Sequence, residues 1–270
     1  MSLSSFLILV VGGFLTGTFG AMLGLGGGVF LIPFLVLAFN LPMHQAVATS
    51  IIAVIATSSA GAAINVERGT VHIRLGMLLE TMTVIGALLG GLTANSISGE
   101  ALTKIFAGIL LVVAVLMVWR RTLSNGSATI ISGGRLPNAF DDPASGTTVH
   151  YSVRRLPLTM LVSIVAGNVS GLLGIGGGVF KVPTMHLISG VPIKAATATS
   201  NFMIGVTAAA SAFIYFSHGH VNPGVTASAA LGVLGGSMFG TWLSRIVHSA
   251  VLIWVFAVVL LAVSVEMFLR

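Results

Sequence analysis

Two short glycine clusters stand in strongly apolar surroundings, and only the second contains a lysine. They read Gly24-Leu-Gly-Gly-Gly-Val-Phe-Leu-Ile-Pro33 and Gly174-Ile-Gly-Gly-Gly-Val-Phe-Lys-Val-Pro183. Each glycine disfavours a helix by about 1 kcal/mol relative to alanine, so both clusters predict a helix break. The helix that restarts after a break presents free N–H groups and a positive dipole end, which suit an anion. The candidate anion-binding glycines are Gly26, Gly27, Gly28, Gly176, Gly177 and Gly178.

Lys181 could add a full positive charge to such a site. It follows Gly178 by three residues, where the first cluster has Leu31. A charge near the centre of a bilayer costs about 3 kcal/mol, so it usually faces the interior of the helix bundle or water. We therefore predict that Lys181 contributes to anion binding. The alternative is a lysine whose ammonium group reaches the membrane surface.

Glu80 and His186 are the candidates for carrying a proton. Glu80 is a carboxylate well inside an apolar run, and His186 follows the second glycine cluster. A carboxylate within a membrane can accept a proton and couple transport to a proton gradient. Two other roles for Glu80 stay open, namely neutralising Lys181 or lying near the lipid headgroups.

Hydroxyl and amide groups recur at matching places in the two halves. Thr49-Ser50 lies in the second apolar run of the first half, and Thr199-Ser200-Asn201 lies at the matching place in the second half. These groups can donate hydrogen bonds to an anion. The hydroxyls can equally bond to a carbonyl one turn earlier in their own helix. Both readings stay open for the hydroxyls, and the Asn201 amide favours a binding role.

Several kinds of chemistry lack the residues they need. The chain has no cysteine, which excludes disulfides and thiolate chemistry. No nucleophile stands with a base, and the histidines lack the spacing of a metal site. Basic residues are thinly spread and form no patch for nucleic acid. We therefore predict a protein that is not an enzyme and has no metal, cofactor or nucleic-acid partner.

The composition places the chain in a lipid bilayer. Of its 270 residues, 56% are hydrophobic and only 7% are charged, and the mean hydropathy is +1.07. Soluble domains carry roughly a quarter charged residues. The first apolar run has no basic residues at its start, and the apolar pattern continues past residue 19. We therefore interpret this run as a retained membrane span and not as a signal peptide.

About eight apolar runs have the length of roughly 20 residues that a transmembrane helix needs. They lie at about 3–23, 44–64, 73–95, 101–119, 155–175, 195–217, 224–245 and 249–269. The segment 120–154 is rich in Gly, Ser, Pro and Asp, which is typical of an exposed linker. We predict an all-α integral membrane protein with four spans in 1–119, a linker in 120–154 and four spans in 155–270.

The two halves repeat with a constant offset of 150 residues. Gly24 matches Gly174, Pro33 matches Pro183, and the Ala-Thr-Ser ending at Ser50 matches one that ends at Ser200. Two tandem repeats, each with a helix broken by glycine, are a common plan for transporters. Gly86, Gly90, Gly236 and Gly240 have the spacing that lets membrane helices pack closely. Whether the repeats are parallel or inverted stays open.

Basic residues concentrate in the linker and in the turn that contains Arg68 and Arg74. The positive-inside rule puts these segments in the cytoplasm. Eight full spans would put both termini there too. If 28–39 and 178–189 do more than enter the membrane and return, this parity changes.

The doubled glycine motif and the Ala-Thr-Ser segments, ending in Ser50 and in Asn201, resemble the TauE/SafE family of sulfite exporters. The resemblance covers nearly the whole chain apart from the linker. It implies a carrier in the bacterial inner membrane that exports sulfite, sulfonates or related organic anions and is driven by an ion gradient. The family motif positions carried here are the two glycine triplets, Pro33, Pro183 and the Thr-Ser pairs.

These inferences lead to one functional hypothesis and three alternatives. The hypothesis is a secondary transporter that binds a small anion at the helix breaks and Lys181 and exposes it alternately to each side. The alternatives are an anion channel on the same scaffold, a membrane-embedded enzyme and a structural membrane subunit. Substrate identity, direction, stoichiometry and association into homo-oligomers stay open.

Overall fold

Ten α-helices account for most of the described chain. The computed structural model describes residues 2–23, 27–123, 134–142, 146–243 and 249–269. Their bounds within these residues are α1 (Leu3–Leu23), α2 (Gly28–Phe39), α3 (Met43–Glu67), α4 (Ile73–Ser96), α5 (Gly99–Leu123), α6 (Leu156–Leu173), α7 (Gly178–Pro183), α8 (Ile193–Ser217), α9 (Pro223–Leu243) and α10 (Ser249–Leu269). A π-helical turn, Thr184–Ile188, continues α7.

Five helices of the described chain are long and apolar enough to cross a membrane. They cover Leu3–Met22, Met43–Glu67, Ile73–Ser96, Leu156–Leu173 and Ile193–Ser217. Many large apolar side chains on these helices face outwards, including Val11 at 57% exposure and Leu161 at 63%. Such an exposed apolar surface is stable against lipid and unstable in water. The prediction of a helical integral membrane protein is confirmed at this level.

Helix α2 folds back along α1. The Phe19 and Phe30 rings lie 6.4 Å apart, and a Cβ atom added to Gly12 would overlap the Phe34 ring. Later residues of α2 therefore meet earlier residues of α1, so the two helices run in opposite directions. The missing side chain at Gly12 makes room for the returning helix.

Helices α3 and α8 occupy matching positions in the two halves and cross in opposite directions. Both begin after a proline, Pro42 or Pro192, whose backbone angles are φ −54° and ψ 140°. A Cβ on Gly205 would lie 3.0 Å from Ser58 Oγ, and the Asn201 amide lies beside Gly61. A later residue of one helix thus meets an earlier residue of the other.

Glycines let two further helix pairs pack with their backbones in contact. Gly232 of α9 packs on the Val10 carbonyl of α1, and Gly240 packs on Thr18. Helices α4 and α6 pair in the same way through Gly86, Gly90, Gly167 and Gly171. The predicted packing role of Gly86, Gly90, Gly236 and Gly240 is confirmed, because a Cβ at each would overlap the backbone of a neighbouring helix.

Part of the linker is a β-hairpin, which the sequence did not predict. Strands β1 (Arg135–Asp142) and β2 (Thr147–Val153) pair in antiparallel fashion. Phe140, Tyr151 and Val153 are buried against the helices. The all-α description and the exposed linker therefore need correction for residues 135–142 and 147–153. The apolar side of this hairpin contacts protein and is shielded from water. The whole segment is rich in turn-forming residues, so its composition did not indicate these strands.

The hairpin and the chain ends lie at opposite ends of the bundle. The Arg154 N–H donates to the Ser189 carbonyl at the hairpin end. At the opposite end of the bundle, where α3 begins, the His220 Nε2–H donates to Asn95 Oδ1 at 2.9 Å. The His220 ring also stacks on His44 there. The start of α1 lies beside the start of α9 at this second end. The start of α1 therefore lies at the end of the bundle opposite the hairpin, because α2 turns back along α1 and changes the parity, and the side of the membrane on which the termini lie stays a prediction.

Candidate functional site

A buried ion pair joins the two halves of the protein. Lys181 of α7 and Glu80 of α4 lie with Nζ 3.5 Å from Oε2. Lys181 is 2% exposed and Glu80 is 6% exposed. Lys181 therefore does not extend its ammonium group to the surface, and Glu80 does not lie among the headgroups. Of the roles considered for Glu80, this geometry supports the neutralisation of Lys181.

Thr207 of α8 links the two charged groups, and sequence reasoning did not predict it. Lys181 Nζ donates to Thr207 Oγ1 at 2.7 Å, and Thr207 Oγ1 donates to Glu80 Oε1 at 2.6 Å. The same hydroxyl lies 3.1 Å from the Met203 carbonyl one turn earlier. Thr207 can therefore turn its proton from Glu80 to this carbonyl without moving. Its repeat partner Thr57, in a polar stretch of α3, was the signal that could have identified it.

The charged cluster has no charged counterpart at the equivalent positions of the repeat. With the offset of 150 residues, Lys181 corresponds to Leu31 and Glu80 corresponds to Ala230. Leu31 is fully buried. The counterpart of the charged site is therefore apolar, apart from the hydroxyl of Thr57.

The second carboxylate oxygen of Glu80 has unused capacity. Within the described residues, Glu80 Oε2 is buried and accepts no hydrogen bond. A buried charge pair is stable only while both charges are present, because removing one leaves the other uncompensated. A proton on Glu80 would therefore leave Lys181 as an unpaired cation, and an anion could compensate it.

The second glycine cluster interrupts the chain between α6 and α7. Gly174, Gly176 and Gly177 have φ angles of 68°, 77° and 66°, a region that residues with a side chain rarely adopt. The Gly177 carbonyl then accepts hydrogen bonds from the N–H groups of Phe180 and Lys181 as the next helix starts. The break thereby fixes where Lys181 stands on α7.

The two glycine clusters meet in the interior of the bundle. Ser50 Oγ donates to the Gly174 carbonyl at 2.8 Å, and a Cβ on Gly28 would lie 2.7 Å from the same oxygen. Gly27 is the left-handed residue before α2. Gly26 lies outside the described residues. The start of α2 and the break before α7 are therefore neighbours, held together by Ser50.

Three of the predicted hydroxyls hold helices together. Thr49 shares a hydrogen bond with Thr226 at the start of α9. Thr199 Oγ1 accepts from the His72 N–H at the start of α4. These bonds and that of Ser50 tie α3 and α8 to the opposite half, so their side chains are engaged in structure.

The remaining predicted residues differ in their surroundings. Ser200 Oγ is buried and has no hydrogen-bond partner among the described residues. Asn201 is half-buried beside Gly61. His186 Nδ1–H donates to the Val191 carbonyl, which holds this imidazole outside the Glu80–Thr207–Lys181 cluster. In the described part of the chain, no group of three histidine or carboxylate residues is arranged to hold a metal ion.

Membrane-length apolar helices around a buried charged cluster are features of an integral membrane transporter. Comparison with known proteins identifies the particular family, because the description "Sulfite exporter TauE/SafE" matches residues 9–267. The chain belongs to this family, and the resemblance seen in its sequence is confirmed.

Curated relatives are similar along nearly the whole chain. The probable membrane transporter protein YunE of Bacillus subtilis is 25% identical over 97% of both chains. A probable membrane transporter protein of Xylella fastidiosa is 26% identical over 100% of this chain and 97% of its own length. MamO of Magnetospirillum gryphiswaldense is 24% identical over 93% of this chain but only 43% of its own length. No solved structure gives a significant match.

Proposed function

We propose that the protein is a secondary transporter that exports a small anion such as sulfite, a sulfonate or a related organic anion. The family and the names of its relatives support transport across a membrane. The observation that carries the anion assignment is the buried Lys181, whose only described counter-charge is Glu80, a group that a proton can neutralise.

The coupling step follows from charge balance in the buried site. Without substrate, Lys181 and Glu80 carry opposite charges and the site is neutral. When a monovalent anion binds Lys181, a proton on Glu80 keeps the site neutral. Because a buried net charge is costly, the two binding events favour one another. One proton then moves with one monovalent anion in the same direction, so export follows the anion's own outward gradient, and an imposed pH gradient drives anion uptake together with the protons.

Thr207 serves both forms of the site. In the empty form its hydroxyl accepts from Lys181 and donates to Glu80. In the loaded form Glu80 is protonated, and the Thr207 hydroxyl turns to the Met203 carbonyl within reach. The glycine breaks contribute N–H groups, and Ser200 and Asn201 are the polar groups available to orient the anion.

The proposed organisation is two inverted repeats that rock against one another around this site. The antiparallel crossing of α3 and α8 supports inversion, since these helices correspond in the two halves. Basic residues of the described chain gather at the hairpin end, namely Arg68, Arg74, Arg135, Arg154, Arg155 and Lys194. The positive-inside rule therefore favours a cytoplasmic hairpin, with both chain ends on the opposite side of the bacterial inner membrane.

Uptake into proteoliposomes tests this function. Purified protein is reconstituted and offered radiolabelled sulfite and a panel of sulfonates with and without a pH gradient. We expect saturable uptake that the gradient increases at least about fivefold. In Glu80→Gln, uptake by exchange continues but the pH gradient has no effect. Glu100→Gln is the matched control, since Glu100 pairs with Lys104 in an exposed position.

Three results would contradict the proposal. Equal pH-gradient dependence in Glu80→Gln would remove Glu80 as the proton acceptor. Flux that rises linearly with concentration and needs no opposing gradient would indicate a channel. The absence of flux for every anion in the panel, from protein that is folded and monodisperse, would contradict anion transport itself.

A further inference from the structure

The hairpin of residues 135–153 covers one end of the bundle only. The described connections at the other end, around Pro42, Ile97 and Gly219, are short turns. The buried residues of the hairpin share one apolar cluster with residues of α4 from the first half and of α7 and α8 from the second. These are the three helices that supply Glu80, Lys181 and Thr207.

An apolar layer lies between the hairpin and the charged site. The buried hairpin residues share one cluster with residues close to each charged-site residue: Leu75 and Leu79 before Glu80, Val182 and Met185 after Lys181, and Met203 before Thr207. Met185 and Met203 stand one helical turn from Lys181 and Thr207. Met185 and Met203 are fully buried. The hairpin therefore separates the charged site from the surface at this end.

His72 fastens the hairpin to the helices with both ring nitrogens. Its Nε2–H donates to the Leu136 carbonyl of the hairpin at 3.2 Å, and its Nδ1 accepts from the Leu75 N–H at 3.4 Å. Only the neutral imidazole makes both bonds. Burial lowers the pKa of His72 and so favours this form. The His72 and Tyr151 rings also meet edge to face, with their centroids 5.8 Å apart.

We propose that the hairpin is a lid, which closes the route between the charged site and the hairpin end of the bundle and lifts when the anion exchanges there. The inference rests on the proposed transport function for its consequence, but not for its geometry. Since the lid contacts both halves, rocking one half against the other would disrupt its apolar contacts. Opening at this end would thus include lifting the hairpin.

Thiol labelling tests the lid independently of transport. The chain has no native cysteine, so a single Met185→Cys gives a clean probe beneath the hairpin. Its rate of reaction with a water-soluble methanethiosulfonate is measured in detergent. Tyr151→Ala removes the ring that lies over His72, and His150→Ala is the matched control because His150 is exposed on the hairpin. We expect labelling to increase at least tenfold with Tyr151→Ala and to stay unchanged with His150→Ala.

Labelling that is slow in all three proteins would overturn the lid, and so would labelling that is equally fast in all three. Phe140→Ala provides a second loosened hairpin if Tyr151→Ala fails to purify as a monodisperse protein. Both outcomes are read without substrate, so they are distinct from a failure of the proposed function.

A reversible crosslink tests the consequence for transport. In His72→Cys/Tyr151→Cys, a short bis-methanethiosulfonate joins the two positions and holds the hairpin down. We expect the initial rate of anion uptake to fall at least tenfold and to recover on reduction, while each single-cysteine variant treated in the same way keeps its rate. An unchanged rate in the crosslinked protein would show that the hairpin need not lift.

Discussion

At the scale of single residues, the site depends on two buried side chains of opposite charge, Lys181 and Glu80. Lys181 is buried where its half-repeat counterpart is leucine, and Glu80 is the described carboxylate that compensates it. The pair is neutral as a whole, so it can stay buried. Each member alone would be an unpaired charge in a medium with little water.

This pairing predicts how charge removal affects stability. Lys181→Leu leaves Glu80 without its cation, and the expected loss of stability is about 3 kcal/mol. Lys181→Leu combined with Glu80→Ala copies the repeat-related residues, Leu31 of the first half and Ala230 of the second, and should recover most of that loss. Thermal unfolding in detergent measures both proteins. If the double variant is as unstable as the sum of the single variants, the two charges do not interact.

Sequence reasoning found the charged residues but not the hydroxyl between them. Lysine and glutamate are conspicuous in an apolar run because their burial is costly. Threonine is common in membrane helices, where it bonds to its own backbone, so Thr207 did not stand out. The same ambiguity led Thr49 and Thr199 to be considered for anion binding, although both connect helices.

At the scale of helices, glycine determines how closely neighbours approach. A Cβ on Gly171 of α6 would overlap the Ala87 carbonyl of α4, whereas a Cβ on Gly108 of α5 would meet nothing within 4 Å. Gly171 therefore allows close contact between α4 and α6, whereas Gly108 makes no such contact among the described residues.

Alanine substitutions separate these two cases. Gly171→Ala should destabilise the protein by about 1–3 kcal/mol, because the contact between α4 and α6 must open. Gly108→Ala should be neutral or stabilising by up to about 1 kcal/mol, since alanine favours a helix. Thermal unfolding in detergent measures each variant. Equal destabilisation by both would mean that helix contact is not the reason for Gly171.

The hairpin was missed because a short strand pair gives little signal inside a polar segment. Strand β2, Thr147–Val153, has apolar residues at alternate positions, but the surrounding linker is rich in turn formers. Its partner strand contains Pro137 and two aspartates, which disfavour strands. Burial of Phe140 and Tyr151 against the helices outweighs these local preferences.

At the scale of the whole molecule, the fold-back of α2 decides the topology. Five membrane-length helices of the described chain could be predicted from apolar length, and the break before α7 could be predicted from the glycines. Whether the chain continues or returns after such a break depends on contacts such as Phe19 with Phe30, which no local pattern encodes. The expectation that the termini share a side with the linker depended on the parity that this fold-back changes.

The proposed orientation is testable in intact cells. Single cysteines at Ser2 and His150 stand at opposite ends of the bundle, and both positions are exposed. A maleimide that does not cross membranes should label Ser2→Cys from outside and should label His150→Cys only after the membrane is permeabilised. Labelling of both from the same side would contradict the orientation and the inverted arrangement together.

In a carrier made of two identical inverted halves, the inward-facing and outward-facing forms would be related by a two-fold rotation and would have equal free energy. This protein departs from that balance in two places: the positions that correspond to Lys181 and Glu80 are uncharged, and the hairpin lies at one entrance. With the hairpin as the proposed lid, the resting population would be biased towards the form shut at the hairpin, and substrate would contribute the free energy that reverses the bias.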